Sequence, residues 1–250
     1  MSVPSGIASA VRLLTVVPVG RADESDPVPY FTLVGWLYVA TGAVLAAGTV
    51  AAGLAHGTGA LLAAAVTVAS WGILSGFIHW DGLADTADGF GVRGCAAQQL
   101  VVMRDSSIGA FGVVAIVMVA LVQVAALAVV MDRGVWWALG APVAGRWAAG
   151  VALWYRRPAR SDGLAAHHAR RPVPAAVLVL ALPVLPLLCV PYPASTGQVL
   201  AVIGALVAGA VLPGVFVRRL GGITGDVLGT VVLLTETVML VGGALAGARG

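Results

Sequence analysis

The stretch IGAFGVVAIVMVALVQVAALAVVM, residues 108–131, contains no charged side chain and decides the class of fold. A helix needs about 20 apolar residues to cross the hydrocarbon core of a bilayer, and this run is long enough. Similar runs recur along the chain, at residues 31–55, 58–79, 108–131, 135–155, 173–192, 197–217 and 227–248. The sequence therefore predicts an all-α, polytopic membrane helical bundle of about seven transmembrane helices, as a single integral-membrane domain over residues 1–250.

The overall composition also favours a membrane protein. Hydrophobic residues make up 60% of the chain and charged residues 10%, whereas a soluble domain carries about 25% charged residues. The formal net charge of +3 is too small and too scattered to indicate nucleic-acid binding. The expected partner is a lipid bilayer, with no nucleic acid.

The distribution of arginine predicts the orientation of the bundle. All fourteen basic side chains are arginine. Eleven of them lie in an N-terminal arm, 1–26, and in the segments 80–107, 156–172 and 218–226. The opposite side holds only Arg133 and Arg249. Because positive loops stay in the cytoplasm, we expect a cytoplasmic N-terminus, an interfacial N-terminal arm and a cytoplasmic catalytic loop at 80–107.

The segment HWDGLADTADGFGVRG, residues 79–94, gathers three carboxylates in an apolar chain. On a helix, Asp81, Asp85 and Asp88 occupy positions i, i+4 and i+7 of one face. Such a face repels itself unless a cation lies on it, and Mg²⁺ prefers oxygen ligands that it can share with substrate phosphates. The pattern therefore predicts a Mg²⁺ site. The alternative is a solvated loop whose aspartates act as caps.

Two residues that flank these aspartates have less certain roles. His79 is either a ligand or proton carrier, or an anchor at the membrane surface. Arg93 follows two glycines, and its guanidinium together with nearby backbone amides favours phosphate binding.

A second polar cluster, VMRDSSIGAFGV, precedes the apolar run at 108–131. Free N–H groups at a helix start favour an anion, so we expect a phosphate seat with Arg104 and Ser106 as ligands. Asp105 is then available as a metal ligand or general base. The alternative is that Asp105 or Ser106 is an ordinary helix cap.

A third cluster, RRLGGITGDVLG, places Arg219 before a glycine turn and Asp226 at the start of the last apolar run. We expect these residues to form the wall of a substrate cavity that faces the first two clusters, although the arginines also serve as a topology signal.

Arg146 and Glu236 lie deeper, within two apolar runs. Buried ionisable groups usually face a bundle interior, so this pair either forms an ion pair or lines the floor of a substrate cavity.

Together, HWDGLADTADGFGVRG, MRDSSIGAFGV and RRLGGITGDVLG resemble in order and spacing the signature segments of the cobalamin synthases, or adenosylcobinamide-GDP ribazoletransferases. The segments RLLTVVPV and GRWAA are also similar, whereas Trp80 replaces a residue that is more often small and aliphatic. The resemblance covers nearly the whole chain. It implies a bacterial inner-membrane enzyme that joins adenosylcobinamide-GDP to α-ribazole, or α-ribazole 5′-phosphate, and releases GMP with Mg²⁺ as cofactor.

On this interpretation, the carboxylates of four residues hold the metal: Asp81, Asp85, Asp88 and Asp105. Asp88 and Asp105 are assigned to catalysis, with Asp105 as the general base. The expected substrate contacts are Arg93, Arg104, Ser106, Arg146, Arg219, Asp226 and Glu236.

Two other functions stay open at this point. The segment DTADGFGVR resembles the opening half of the CDP-alcohol phosphotransferase motif, so a phosphotransferase of that kind is one alternative. A membrane transporter with Arg146 and Glu236 at its midplane is another, and the lack of a convincing internal repeat argues against it. A homo-oligomer, or association with other cobalamin-assembly enzymes, also stays open.

Overall fold

A computed structural model of the protein describes residues 5–20, 25–168 and 195–247. This part of the chain is helical and contains no strand, only an isolated bridge between Pro158 and Ile223. The helices are α1 (Ser5–Leu14), α2 (Phe31–Ala51), α3 (Thr58–Leu74), α4 (Ile78–Gly91), α5 (Ala96–Val102), α6 (Ala110–Asp132), α7 (Ala141–Tyr155), α8 (Gly163–His168), α9 (Thr196–Leu220) and α10 (Gly225–Gly247). Short 3-10 helices precede α2 (Val28–Tyr30) and α7 (Trp136–Gly140).

Helix length and composition confirm an all-helical membrane bundle. Within the described ranges, four helices are long and apolar enough to cross a membrane: α2 with its 3-10 turn, α6, α9 and α10. They match the predicted runs 31–55, 108–131, 197–217 and 227–248. The number becomes five if α3 and α4, which meet at 89°, form one bent crossing. The run predicted at 173–192 lies outside the described residues.

The predicted span at 58–79 is interrupted after Leu74. Gly76 and Phe77 both adopt a φ of 59°, the left-handed region. Glycine enters this region without penalty, whereas a phenylalanine there is strained, so the turn breaks the helix and redirects the chain. The helix resumes as α4 at Ile78. The segment 80–107 is therefore not the loop that was predicted, because it contains most of α4 and all of α5.

The predicted span at 135–155 also differs from the structure. It begins as a 3-10 helix and becomes α-helical only at Ala141, with Pro142 in the first turn. Proline suits that position because the first helical N–H groups have no partner within the helix. The resulting α7 is shorter than the four spanning helices, and its residues 141–150 are all buried. It packs between α2, α9 and α10 at the centre of the bundle.

Glycines allow α4 to approach α10 closely. A Cβ added at Gly82 would lie 2.7 Å from the carbonyl oxygen of Asp226, and one at Gly229 would lie 3.1 Å from the Cα of His79. The hydroxyl of Thr230 donates a hydrogen bond to the carbonyl oxygen of Gly82 at 3.0 Å. Small residues at helix contacts in membranes serve this purpose. They place the aspartates of α4 beside the start of α10.

Candidate active site

The three aspartates of the first motif lie on α4, as the helical spacing predicts. Asp81 is exposed, whereas Asp85 and Asp88 are half-buried where α4 packs against α6 and α10. The position of α4 explains this gradient, because its N-terminal part borders an open cavity and its C-terminal part is covered by the start of α6. The alternative is therefore wrong in placing these residues in a solvated loop, although one of them, Asp88, acts as a cap.

The carboxylate of Asp88 caps the start of α6. It accepts hydrogen bonds from the N–H of Gly109 at 2.7 Å and from the N–H of Gly112 at 2.9 Å. These are amides at a helix N-terminus, which attract negative charge. We expected a substrate phosphate at this helix start. In the structure the anion there is the carboxylate of Asp88 itself.

Asp226, in the first turn of α10, brings a further carboxylate to the acidic face of α4. Asp81, Asp88 and Asp226 all lie near enough to Asp85 to repel its negative charge. The hydroxyl of Thr224 donates a hydrogen bond to Asp226 at 3.2 Å. The sequence predicted that Asp226 closes a substrate cavity from the other side, and the structure places its carboxylate beside those of α4. The four carboxylates form what we call the acidic cluster.

Arg160 is a member of this site that the sequence did not reveal. Its Nη1 lies 3.6 Å from Oδ2 of Asp226, and its Nη2 donates a hydrogen bond to the carbonyl oxygen of Leu100 at 2.8 Å. The side chain is 17% exposed, so its charge is only partly screened by water. In the sequence this residue is one of several loop arginines that the positive-inside pattern explains, and no local signal distinguishes it.

The acidic cluster does not form a preassembled metal centre. Among the described residues, no group of three or more His, Cys, Asp or Glu side chains is close enough to hold a metal ion. The reason is visible in the contacts, since Asp88 is turned towards α6 and Asp226 towards Arg160. The donor chemistry nevertheless fits Mg²⁺, which takes one or two carboxylates and completes its shell with water and substrate oxygens.

Asp105 is separate from the acidic cluster. It is fully exposed in the turn before α6, where the hydroxyl and the N–H of Ser107 both donate hydrogen bonds to it. These bonds hold the pKa of Asp105 below its ordinary value. A carboxylate of low basicity is poorly suited to accept a proton. The structure thus gives Asp105 a role in the local turn, which is neither the helix cap of the alternative nor a setting that favours the predicted roles of general base and metal ligand.

The predicted phosphate-binding arginines have different surroundings. Arg104 forms a two-oxygen ion pair with Asp162, with distances of 2.6 and 2.7 Å. Arg219 donates a hydrogen bond to the carbonyl oxygen of Phe90 at 2.9 Å, and its guanidinium lies 4.5 Å from the ring centre. Arg93 is exposed just beyond the end of α4. Arg93 and Arg219 therefore lie near the C-terminal end of α4, whereas the guanidinium of Arg104 is paired with the carboxylate of Asp162.

An open cavity of about 500 Å³ begins at the acidic cluster. Asp81, Asp85 and Ser106 line its polar end, and side chains of α3, α4 and α6 form its walls. We name it the α3–α6 groove. Two members of the second motif share this cavity with the aspartates: Ile108, and Ser106, which was predicted to contact substrate.

Arg146 and Glu236 form a buried ion pair, which resolves one of the two alternatives left open. Their side chains are 3% and 4% exposed, and the guanidinium lies 3.7 Å from the ring centre of Tyr38. A small cavity beside the pair also borders His79. His79 is 5% exposed, so it is not an anchor at the membrane surface. The pair lies beneath the acidic cluster and outside the residues that line the α3–α6 groove.

Fold and site together define an integral-membrane protein with carboxylates gathered from two helices at one end of its bundle. The CobS family model, described as cobalamin-5-phosphate synthase, matches residues 6–244. The chain belongs to this family.

Three curated relatives carry the name adenosylcobinamide-GDP ribazoletransferase. The protein from Azorhizobium caulinodans is 34% identical over 94% of each chain. That from a Nocardioides species is 37% identical over 92% of this chain and 94% of its own. That from Pseudomonas entomophila is 41% identical over 77% of this chain and 79% of its own. No solved structure matches the chain.

Proposed function

We propose that this protein transfers the adenosylcobinamide phosphate group of adenosylcobinamide-GDP to a ribose hydroxyl of α-ribazole, or of α-ribazole 5′-phosphate. The observation that carries the proposal is the family match over residues 6–244. Relatives named for this activity align over more than nine tenths of both chains. The acidic cluster supplies a site with suitable chemistry, since transfer between phosphate-bearing substrates depends on charge neutralisation and positioning.

The reaction exchanges a phosphoanhydride bond for a phosphate ester bond. The hydroxyl oxygen of the ribose forms a bond to the phosphorus next to the cobinamide, the bond from that phosphorus to the bridging oxygen breaks, and GMP leaves. The hydroxyl proton passes to a carboxylate, and we assign this role to Asp81, which lines the α3–α6 groove. Asp105, which is exposed and bonded to Ser107, is not retained as the base.

Mg²⁺ is part of the proposal, with one carboxylate from each of two helices, Asp85 and Asp226, as the residues that would hold it. These carboxylates come from two helices and repel one another, a charge distribution that a divalent cation compensates. When bound, the ion supplies positive charge to the diphosphate and orients its oxygens. Asp88 anchors α6 beside these residues, and Arg160, Arg219 and Arg93 add positive charge around them.

The direct test is incubation of the purified full-length chain with adenosylcobinamide-GDP, α-ribazole and Mg²⁺, with release of GMP as the readout. We expect GMP only when both substrates are present, and none when the metal is chelated. CDP-diacylglycerol in place of adenosylcobinamide-GDP should give no CMP. Release of CMP with CDP-diacylglycerol, together with no GMP from adenosylcobinamide-GDP, would support the CDP-alcohol phosphotransferase alternative and overturn this proposal.

A pair of variants tests the acidic cluster. Asp85→Asn should abolish GMP release, because it removes a carboxylate that lies between those of Asp81 and Asp226. The matched control is Asp132→Asn, at the far end of α6, where the carboxylate accepts a hydrogen bond from Gly57. Wild-type turnover by Asp85→Asn would contradict the assigned site.

We also place the active site on the cytoplasmic side of a bacterial inner membrane. The support is the arginine distribution, since eleven of the fourteen arginines lie in the N-terminal arm and in the segments 80–107, 156–172 and 218–226. Both proposed substrates are anions or polar nucleosides, which do not cross a bilayer freely. The cytoplasm is therefore the side from which they reach the site.

A further inference from the structure

The α3–α6 groove has a chemistry that the transfer reaction alone does not explain. Its volume of about 500 Å³ lies in the range of small-molecule sites. Among the described residues that line it, the polar side chains are Asp81, Asp85 and Ser106, and all the others are apolar except for the indole N–H of Trp80. A ligand that fills it has an apolar body and a hydrogen-bonding end.

The side chains of the apolar walls suit a flat group. Alanines from two helices, Ala69 on α3 and Ala120 on α6, line the groove, and so do the rings of Phe77 and Trp80. Phe77 lies in the left-handed turn between α3 and α4. Aromatic side chains bind flat ring systems through stacking or edge contacts.

The charge at the polar end favours hydroxyl groups. Asp81 and Asp85 are carboxylates, which accept hydrogen bonds from hydroxyl groups. The acceptor of the proposed reaction has to bring a ribose hydroxyl to this end of the groove. The apolar remainder of the groove then holds the group attached to the ribose, which is the base. Both ends of the groove thus match a nucleoside, whereas a lipid matches only the apolar walls.

We propose that the α3–α6 groove is the binding site for the base of the nucleoside acceptor, and that Ala69 and Ala120 limit which bases are accepted. This inference rests on the proposed function, in which the acceptor is a benzimidazole riboside. The flat bicyclic base lies between α3 and α6, and the ribose extends towards Asp81 and Asp85. The donor, with its diphosphate, approaches from the arginine-rich side instead.

Ala69→Leu tests this assignment, because Ala69 is exposed and a larger side chain there enters the groove without displacing the protein core. We expect the KM for α-ribazole to rise about tenfold, while the KM for adenosylcobinamide-GDP stays within about twofold. Ala120→Leu fills the groove from the opposite wall and should have the same effect. The matched control is Ala125→Leu, an exposed alanine of α6 outside the groove, which should change neither KM.

Selectivity among bases separates a binding role from a general loss of structure. With the dimethylated base of α-ribazole and an unsubstituted benzimidazole riboside as competing acceptors, Ala69→Leu should shift the kcat/KM ratio at least about threefold towards the smaller base. An unchanged ratio together with unchanged KM values would overturn the proposal, and it is the result expected if an acyl chain occupies the groove. An equal rise in the KM values of both substrates would also overturn it.

The proposed function fails separately, if the wild-type chain releases no GMP. In that case calorimetric titration of α-ribazole into the wild type, Ala69→Leu and Ala125→Leu decides the inference. Weaker binding to Ala69→Leu alone supports a base site in the groove. Equal binding to all three proteins, or binding to none, overturns it.

Discussion

The N–H of Gly109 donates a 2.7 Å hydrogen bond to the carboxylate of Asp88, so the start of α6 is tied to the acidic face of α4. This contact gives Asp88 a structural role that is independent of metal. Asp88→Ala should lower the free energy of unfolding by about 1–2 kcal/mol, because two helix-start amides lose their acceptor. The measurement is the apparent Tm in detergent with metal chelated. Asp81→Ala, at the exposed end of the same face, is the control, and equal melting of the two variants would contradict the capping role.

The buried pair of Arg146 and Glu236 predicts a strong penalty for breaking it. Arg146→Met leaves the carboxylate of Glu236 unpaired inside the bundle, which should cost about 3–5 kcal/mol. The double variant Arg146→Met/Glu236→Met should be less impaired, since it removes both charges. Folded yield and apparent Tm in detergent report the difference. A double variant less stable than either single variant would show that the pair itself stabilises the bundle beyond its desolvation cost.

Arg160 is expected to compete with a cation for the acidic cluster, since it lies 3.6 Å from Asp226. Arg160→Gln should lower the Mg²⁺ concentration needed for half-maximal GMP release, because the carboxylates lose a competing positive charge. The control is Arg157→Gln, whose guanidinium instead donates a hydrogen bond to the carbonyl oxygen of Gly221. A higher Mg²⁺ requirement in Arg160→Gln would place Arg160 with the substrate rather than in competition with the metal.

The lowered pKa of Asp105 makes a prediction for the pH profile. Because the pKa of Asp105 is lowered, the hydrogen bonds from Ser107 contribute fully at pH values above the ordinary pKa of 3.8. They are lost only as the pH falls through the lowered pKa. Asp105 is therefore ionised above its ordinary pKa. Asp105→Asn should leave the value of kcat/KM and its dependence on pH between about pH 5 and 7 unchanged. A large loss of kcat/KM in Asp105→Asn across this range would restore Asp105 as the base.

Cys95 offers a test of orientation, because its exposed thiol lies in the segment between α4 and α5. In a Cys189→Ser background, a membrane-impermeant maleimide should label Cys95 in inside-out vesicles and spare it in right-side-out ones. The expectation follows from the arginines of the surrounding segments, which favour the cytoplasm. Labelling in right-side-out vesicles alone would reverse the assigned topology.

The sequence predicts the features that depend on neighbours along the chain. The uncharged run at 108–131 predicts α6, and the spacing of Asp81, Asp85 and Asp88 predicts a shared helix face. Hydropathy does not reveal the break before α4, since Phe77 is apolar and only its backbone is unusual. A strained non-glycine residue is held in place by the surrounding fold, which a local pattern does not contain.

The contacts that complete the site are all long-range. Asp88 and Gly109 are hydrogen-bonded although α5 and the turn after it separate them in the sequence. Arg160 and Asp226 form an ion pair although α9 lies between them in the sequence. In the sequence, each of these residues has another explanation: Asp88 as a metal ligand, Gly109 as part of a helix start, and Arg160 as a topology signal. The expectation of a phosphate site before α6 failed for this reason. The sequence shows that the first N–H groups of a helix lack partners within that helix, but it does not show which distant carboxylate accepts their hydrogen bonds.

The missing side chain at Gly82 sets the electrostatics of the site. A single Cβ there would lie 2.7 Å from the backbone oxygen of Asp226, so any other residue pushes α4 away from α10. The distance between the two helices that carry the aspartates thus depends on a residue that has no side chain and no charge. A substitution at Gly82 would therefore weaken the affinity for a cation although every carboxylate of the site is unchanged.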